Sequence, residues 1–157
     1  MSKKTASQFL KREDSIAYYI LGSDHRDSAL AVCARSFMRE PTSVAFSELK
    51  PEMKIKFIDW VELIDFFMDD CCTNGLSIIA IDENNHRLVS AYLVRDMSFL
   101  PQGYFNKYQS PNVALSALIQ MIFYIDEEAI KCCPELKKTE TPGYGADLWM
   151  LGVAPDY

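Results

Sequence analysis

The chain has 157 residues, 49% of them hydrophobic and 24% charged, which suits one globular domain with one core. Its formal net charge of −6 argues against a broad surface for nucleic-acid phosphates. No apolar run reaches the roughly 18 residues of a membrane span, and the polar start does not resemble a signal peptide. We therefore expect a cytoplasmic protein with no nucleic-acid or membrane partner.

The cysteines and histidines of the sequence do not form a recognisable metal site. The five cysteines include two adjacent pairs, and neither pair has the C-x₂-C spacing that lets one turn present two thiolates to zinc. His25 and His86 stand at a predicted helix start and a predicted hairpin turn. We expect no metal site, no cysteine nucleophile and no disulfide framework, but free thiols that are buried or half-buried.

The first part of the chain is typical of a tail, a strand and a helix. Residues 1–14 are predicted to form a flexible N-terminal tail, and residues 15–157 one domain. Residues 15–21 are rich in aromatic and β-branched side chains and predict a strand. Ser23 or Asp24 is then suited to cap a helix, which Pro41 ends by disfavouring helical geometry at the residue before it.

The middle of the chain predicts a second helix and a β-hairpin. After a polar connection over residues 42–50, Pro51 suits a first helical position, and apolar residues recur at helical spacing up to Asn74-Gly75. Residues 76–81 and 88–94 are apolar runs on either side of a polar turn, which predicts two paired antiparallel strands.

The last part of the chain predicts a third helix and a closing strand. Ser110 and Pro111 are suited to cap and begin a helix over residues 112–130. Residues 148–153 then form an apolar run typical of a buried strand. The order predicts an α+β fold, with a mixed, mostly antiparallel twisted sheet flanked by helices.

This order resembles the N-terminal part of the GNAT superfamily of N-acetyltransferases. The stretches that carry the resemblance are the opening strand, FMREP (37–41), the hairpin and LGVAPDY (151–157). The helix inserted before the last strand is similar to the arylalkylamine and dopamine N-acetyltransferase branch. On this resemblance the chain is truncated after the family's strand four, which is the closing strand over residues 148–153, just before the glycine-rich turn that holds the acetyl-CoA pyrophosphate in that family.

The resemblance implies an acyltransferase that moves an acetyl group directly from acetyl-CoA, as co-substrate, to a small primary amine. Because the pyrophosphate turn is missing, this chain alone is expected to bind acetyl-CoA weakly or not at all and to be inactive. The alternative is a non-catalytic GNAT remnant, or an unrelated α+β module that binds a ligand or a protein. The exposed edge of strand four also predicts pairing into a homodimer.

Glu40 is the predicted catalytic residue. An alkylamine is mostly protonated at neutral pH, so a carboxylate that accepts its proton would help the reaction. The resemblance assigns this role to the glutamate that precedes Pro41. The alternative is a solvated charge at a helix end.

The predicted cofactor-binding residues are Leu151, Gly152 and Val153. The resemblance implies that their backbone amides and carbonyls hold the acetyl carbonyl and the pantetheine arm. A glycine inside a strand often marks a close approach of another group. The alternative is a buried core strand with no further role.

The predicted substrate-binding residues are Tyr104, Phe105 and Tyr144. They stand in predicted loops near strand ends, where aromatic rings can stack on an aryl group or a cation. The alternative is that they pack these loops onto the domain.

Overall fold

A computed structural model describes residues 5–41, 44–45, 48, 54–96, 110–132, 146–154 and 156–157. Its elements, in chain order, are β1 (Gln8–Glu13), β2 (Ile16–Ile20), α1 (Arg26–Phe37), α2 (Phe57–Thr73), β3 (Ile78–Asp82), β4 (Arg87–Asp96), α3 (Val113–Cys132) and β5 (Ala146–Val153). The predicted α+β class, with an antiparallel sheet flanked by helices, is confirmed.

The described strands form one antiparallel sheet in the order β1-β2-β3-β4-β5. The predicted hairpin is present as β3 and β4, and the predicted closing strand is β5, which lies beside β4. In the β4–β5 register, Ala91 faces Gly152 and Tyr92 faces Leu151. Strand order and chain order coincide, so the chain leaves the sheet after β2 and returns beside the same strand as β3.

Some element boundaries differ from the sequence prediction. Residues 8–13, predicted as part of the tail, form β1, where the Phe9 ring lies edge-on to Tyr19 with centroids 5.6 Å apart. The described residues of the predicted connection, Val44, Ala45 and Glu48, are helical. Helix α2 begins at Phe57, six residues after the expected Pro51.

Helices α1 and α2 cover one face of the sheet. The predicted apolar face of α2 is confirmed, because Trp60, Ile64, Phe67 and Met68 are each at most 2% exposed. Complete burial of one such side chain contributes about 1.5–3 kcal/mol. Ala91 of β4 lies against α1, where its backbone carbonyl accepts from the Cys33 thiol at 3.8 Å, and its small side chain lets the helix approach the strand closely.

The segment before β1 is held against the start of α1. The Ser7 backbone N–H and hydroxyl both donate to the Asp24 carboxylate, at 2.9 and 2.6 Å. The Ser7 hydroxyl also accepts from the Gly22 backbone N–H at 2.9 Å. A Cβ at Gly22 would lie 2.4 Å from the Ser7 nitrogen, so only glycine allows this approach. The segment forms a strap across the β2–α1 junction.

The starts of α2 and α3 are linked by a pair of polar side chains. The Asn112 amide donates to the Asp59 carboxylate at 2.8 Å, and Asp59 also accepts from the Lys56 backbone N–H at 2.7 Å. The Asn112 carbonyl accepts from the backbone N–H groups at the start of α3. Asn112 therefore caps α3, where the sequence predicts Ser110. Among the described residues, no helix has the length and hydropathy needed to cross a bilayer.

Candidate functional site

A pocket of about 610 Å³ lies between α1, the turn that joins β3 to β4, and the end of β5. This volume falls within the range of about 300–1,000 Å³ that is common for small-molecule sites. The lining residues are Asp27, Ser28, Ala31, Val32 and Arg35 of α1, Asn85, His86 and Arg87 of the turn and the start of β4, Leu88, and Ala154. We call this site the α1–turn pocket.

The α1–turn pocket has an apolar floor and a polar rim. Val32, Leu88 and Ala154 are at most 7% exposed and form the floor. Asp27 and Arg87 stand at the rim, with 96% and 43% of their side chains exposed. A ligand can therefore place an apolar group against the floor and polar groups at the rim.

The α1 wall of the pocket follows from helical spacing. Asp27, Ala31 and Arg35 are four residues apart and lie on one side of the helix. The wall is fixed at its start because Arg26 binds two carboxylates of α2, Asp65 at 2.7 Å and Asp69 at 3.0 Å. Arg35 lies eight positions after Asp27, so their Cα atoms are roughly 12 Å apart along the helix axis.

The turn wall is shaped by side chains that bond to the backbone. The Asp82 carboxylate accepts from the Asn84 backbone N–H at 3.0 Å, and the Asn85 carbonyl accepts from the Arg87 backbone N–H at 3.0 Å. His86 between them has φ +53°, in the left-handed region. Asparagine and aspartate favour such turns, which explains why the polar run after β3 folds back here.

Asp156 and Tyr157, at the end of the described chain, bind side chains of the same turn and of the strand ends beside it. The Asp156 carboxylate lies 2.6 Å from the Arg87 guanidinium. The Tyr157 hydroxyl donates to Asp82, and the Asn85 amide lies 3.3 Å from that hydroxyl. The bond from Tyr157, followed by that from the Asn84 N–H, holds the pKa of Asp82 below its ordinary value, and the same bond raises the pKa of Tyr157. These contacts position two pocket residues, Asn85 and Arg87.

Glu40 is not among the residues that line the pocket. It lies just beyond the end of α1, half-buried, where its backbone N–H bonds to the Phe37 carbonyl at 3.3 Å and its own carbonyl accepts from Val44 at 3.1 Å. The structure thus places it in a continuing helical turn. Its catalytic role stays a prediction.

The structure gives Gly152 a packing role and leaves Leu151 and Val153 facing away from α1. A Cβ at Gly152 would lie 2.6 Å from the Cys33 Cα, so the glycine lets β5 pass directly against α1. Leu151 and Val153 are 53% and 41% exposed on the opposite face of the sheet. Cofactor binding by these three residues stays a prediction.

The predicted substrate-binding residues Tyr104, Phe105 and Tyr144 lie outside the described residues. Arg35, His86 and Arg87 line the pocket and were not predicted as site residues. Nothing in the local sequence marks them, because the pocket forms only when α1 packs beside the turn.

The buried cysteines behave as inert thiols. Burial raises the pKa of Cys33 and of Cys71 to about 12 and that of Cys72 to about 11. Cys132 is exposed. Over the described ranges, no group of three or more histidine, cysteine or carboxylate side chains is placed to hold a metal ion.

Comparison with known proteins identifies the fold but no sequence family. Neither a family model nor a curated protein matches the sequence. Among solved structures, the chain is similar to the C-terminal condensation domain of Ebony in complex with beta-alanyl-dopamine, with a TM-score of 0.60 and 15% identity. The chain shares the fold of that condensation domain. The match covers 90% of this chain and 60% of that chain, so this chain spans about 60% of the solved domain.

This finding corrects the resemblance to the GNAT superfamily. The solved structure that matches is a condensation domain, so the predicted acetyl-CoA-dependent N-acetyltransferase activity is wrong. The short stretches 37–41 and 151–157 specify a helix end and a strand end, and such local structures serve many functions. Weak or absent binding of acetyl-CoA, homodimer formation through the β5 edge, the domain boundary and the cytoplasmic location stay predictions.

Proposed function

We propose that this chain is part of a condensation-type domain that binds a small acylated amine in the α1–turn pocket. The observation that carries the proposal is the fold shared with a condensation domain that was solved with beta-alanyl-dopamine. A condensation reaction of this kind joins an acyl group to an amine. The amide bond forms as the bond between the acyl carbon and its leaving group breaks, and the proton lost by the amine nitrogen goes to the leaving group. The whole protein would carry out this reaction, and the present chain would contribute the pocket.

The chemistry of the pocket supports an acylated arylalkylamine as its ligand. A β-alanyl conjugate of such an amine has a primary ammonium group at one end, an amide in the middle and an aromatic ring at the other end. The Asp27 carboxylate lies 3.6 Å from Arg26 but is 96% exposed, so it offers a partner for the ammonium group. The Asn85 carbonyl accepts from the Arg87 backbone N–H and has a second lone pair for the amide N–H of the ligand. The floor of Val32, Leu88 and Ala154 offers apolar contact to the ring.

The test is a titration of the chain with beta-alanyl-dopamine, followed by the backbone amide signals in NMR spectra. We expect the signals of the α1 wall and of the turn to shift with a saturable dependence on concentration. Ala31→Phe fills the pocket from its half-buried wall and should abolish these shifts. Ala117→Phe, at an exposed position of α3, is the matched control and should leave them unchanged.

Two results would contradict the proposal. The first is the absence of saturable shifts at any pocket residue of the unaltered protein. The second is the same titration curve for Ala31→Phe as for Ala117→Phe, which would place the ligand elsewhere. The alternative of a non-catalytic binding module stays a prediction, since the titration detects binding and not turnover.

A further inference from the structure

Two arginines and a histidine lie around the α1–turn pocket of an acidic protein. The whole chain has a formal net charge of −6, yet Arg35 of α1 faces the pocket from one wall and His86 and Arg87 from the other. The ammonium, amide and aromatic groups of a β-alanyl arylalkylamine use none of these three side chains. The pocket therefore offers recognition chemistry that the proposed function does not account for.

Arg35, His86 and Arg87 differ in the ion pairs and hydrogen bonds that their side chains make. Arg87 binds the Asp156 carboxylate at 2.6 Å, and both side chains are partly exposed. Within the part of the chain that the structure describes, Arg35 and His86 make no ion pair or hydrogen bond through their side chains. Two polar groups on opposite walls are thus available to a ligand, and Arg87, whose charge is paired with Asp156, has further N–H donors beside them.

The charges of the pocket are separated in space. Asp27 lies at the start of the α1 wall, and Arg35 lies two helical turns later, roughly 12 Å along the axis. The acidic end suits an ammonium group. The end with Arg35, His86 and Arg87 suits an anion, and a guanidinium can bind a carboxylate or a phosphate through two parallel hydrogen bonds.

We propose that the ligand of the α1–turn pocket carries a carboxylate or phosphate group, which binds between Arg35 on α1 and His86 and Arg87 on the turn. This inference rests on the proposed function for the position of the ligand. It narrows the substrate class from acylated amines in general to acylated amines that carry both a cationic and an anionic group. An amino acid and a phosphorylated amine are simple probes that present both charged groups.

The test compares ligands that differ only in their anionic group. β-Alanine has a carboxylate that β-alaninamide lacks, and phosphoethanolamine has a phosphate that ethanolamine lacks. Each ligand is titrated into the full chain, and binding is followed through the side-chain Nε–H signal of Arg35 and the backbone signals of the turn. The two pairs distinguish a carboxylate ligand from a phosphate ligand.

We expect the anionic member of at least one pair to bind about five- to tenfold more tightly than its neutral partner. This factor lies between the contribution of an exposed ion pair and that of a hydrogen bond to a charged group. Arg35→Gln should remove this preference. Arg39→Gln is the matched control, because Arg39 is an exposed arginine one turn further on and does not line the pocket. Raising the salt concentration should weaken the preference.

The outcomes separate this inference from the proposed function. A preference below twofold in both pairs, or an equal loss in Arg35→Gln and Arg39→Gln, overturns the inference. If beta-alanyl-dopamine then still shifts the pocket signals, the proposed function stands without it. If an anionic ligand binds at Arg35 and beta-alanyl-dopamine does not bind, the inference is supported and the proposed function is wrong.

Discussion

Gly152 of β5 and Cys33 of α1 lie in direct contact. A Cβ built on the glycine would be 2.6 Å from the Cys33 Cα and 2.9 Å from both its backbone nitrogen and its Sγ. Two of these three atoms belong to the backbone, so a side-chain rearrangement cannot make room. The glycine therefore fixes the distance between α1 and β5, the strand directly before Ala154, which helps to line the pocket.

Gly152→Ala should lower the free energy of unfolding by about 1–3 kcal/mol, the usual cost of overpacking a core. Urea denaturation followed by circular dichroism measures this change. Adding Cys33→Ala should not restore stability, because the closest atoms remain in place. Gly75→Asn is the control: Gly75 has φ +72° and open space around it, so asparagine should change stability by less than about 1 kcal/mol. Full rescue by Cys33→Ala would show that only the thiol is in the way.

Ser7→Ala should raise the pKa of Asp24. Burial of Asp24 favours its neutral form, but the hydrogen bonds from Ser7 and the neighbouring His25 outweigh this effect and lower its pKa. A carboxylate with a lowered pKa stabilises the fold above its unfolded pKa near 3.9, and this contribution is lost as the pH falls through the folded pKa. NMR titration of the carboxyl carbon checks the shift, with Ser36→Ala on α1 as the control. An unchanged pKa of Asp24 in Ser7→Ala would show that the hydrogen bonds from Ser7 do not lower this pKa.

Tyr157→Phe should raise the pKa of Asp82. It should also remove the loss of stability that ionisation of Tyr157 causes at high pH. The hydrogen bond to Asp82 raises the pKa of the Tyr157 hydroxyl, so this bond stabilises the fold below the ordinary tyrosine pKa near 10. The contribution is lost as the pH rises through the folded pKa. Stability curves from pH 8 to 11 test this, and Tyr124→Phe, at an exposed helix position, should leave the curve unchanged. Identical stability curves for Tyr157→Phe and Tyr124→Phe would show that the hydrogen bond from Tyr157 to Asp82 does not stabilise the fold.

Thiol labelling should separate Cys132 from the buried cysteines. At pH 8 a thiol with a pKa of about 12 or about 11 is almost wholly protonated, and only the thiolate reacts readily. Iodoacetamide should therefore modify Cys132 in the native protein and Cys33, Cys71 and Cys72 only after unfolding. Mass spectrometry of proteolytic fragments identifies the labelled positions. Fast native labelling of Cys71 would contradict the burial of this thiol.

The elements that the sequence predicts correctly are those with a strong local pattern. The apolar face of α2 repeats at helical spacing, and the β3–β4 hairpin has two apolar runs around a polar turn. Strand β1 has no such pattern, because its residues are exposed and it forms by pairing with β2. A strand that depends on its partner cannot be recognised from its own residues.

The candidate site is harder to predict than the fold. Arg35, His86 and Arg87 are polar residues on exposed parts of separate elements, and each alone is indistinguishable from a solvated charge. The catalytic role of Glu40 is predicted from the family resemblance and from the proline that follows it, and Glu40 does not line the pocket. A site assembled from distant segments becomes visible only through their packing.

The agreement between strand order and chain order has a consequence for how the chain folds. The β1–β2 and β3–β4 pairs each join neighbouring segments, whereas β2–β3 and β4–β5 close long loops. Closing a long loop costs entropy before its contacts form, and non-local pairing slows folding. We therefore expect two hairpins to form early and independently, and their docking along β2 and β3 to limit the rate. The pocket, which needs both α1 and β5 in place, would be among the last parts of the molecule to assemble.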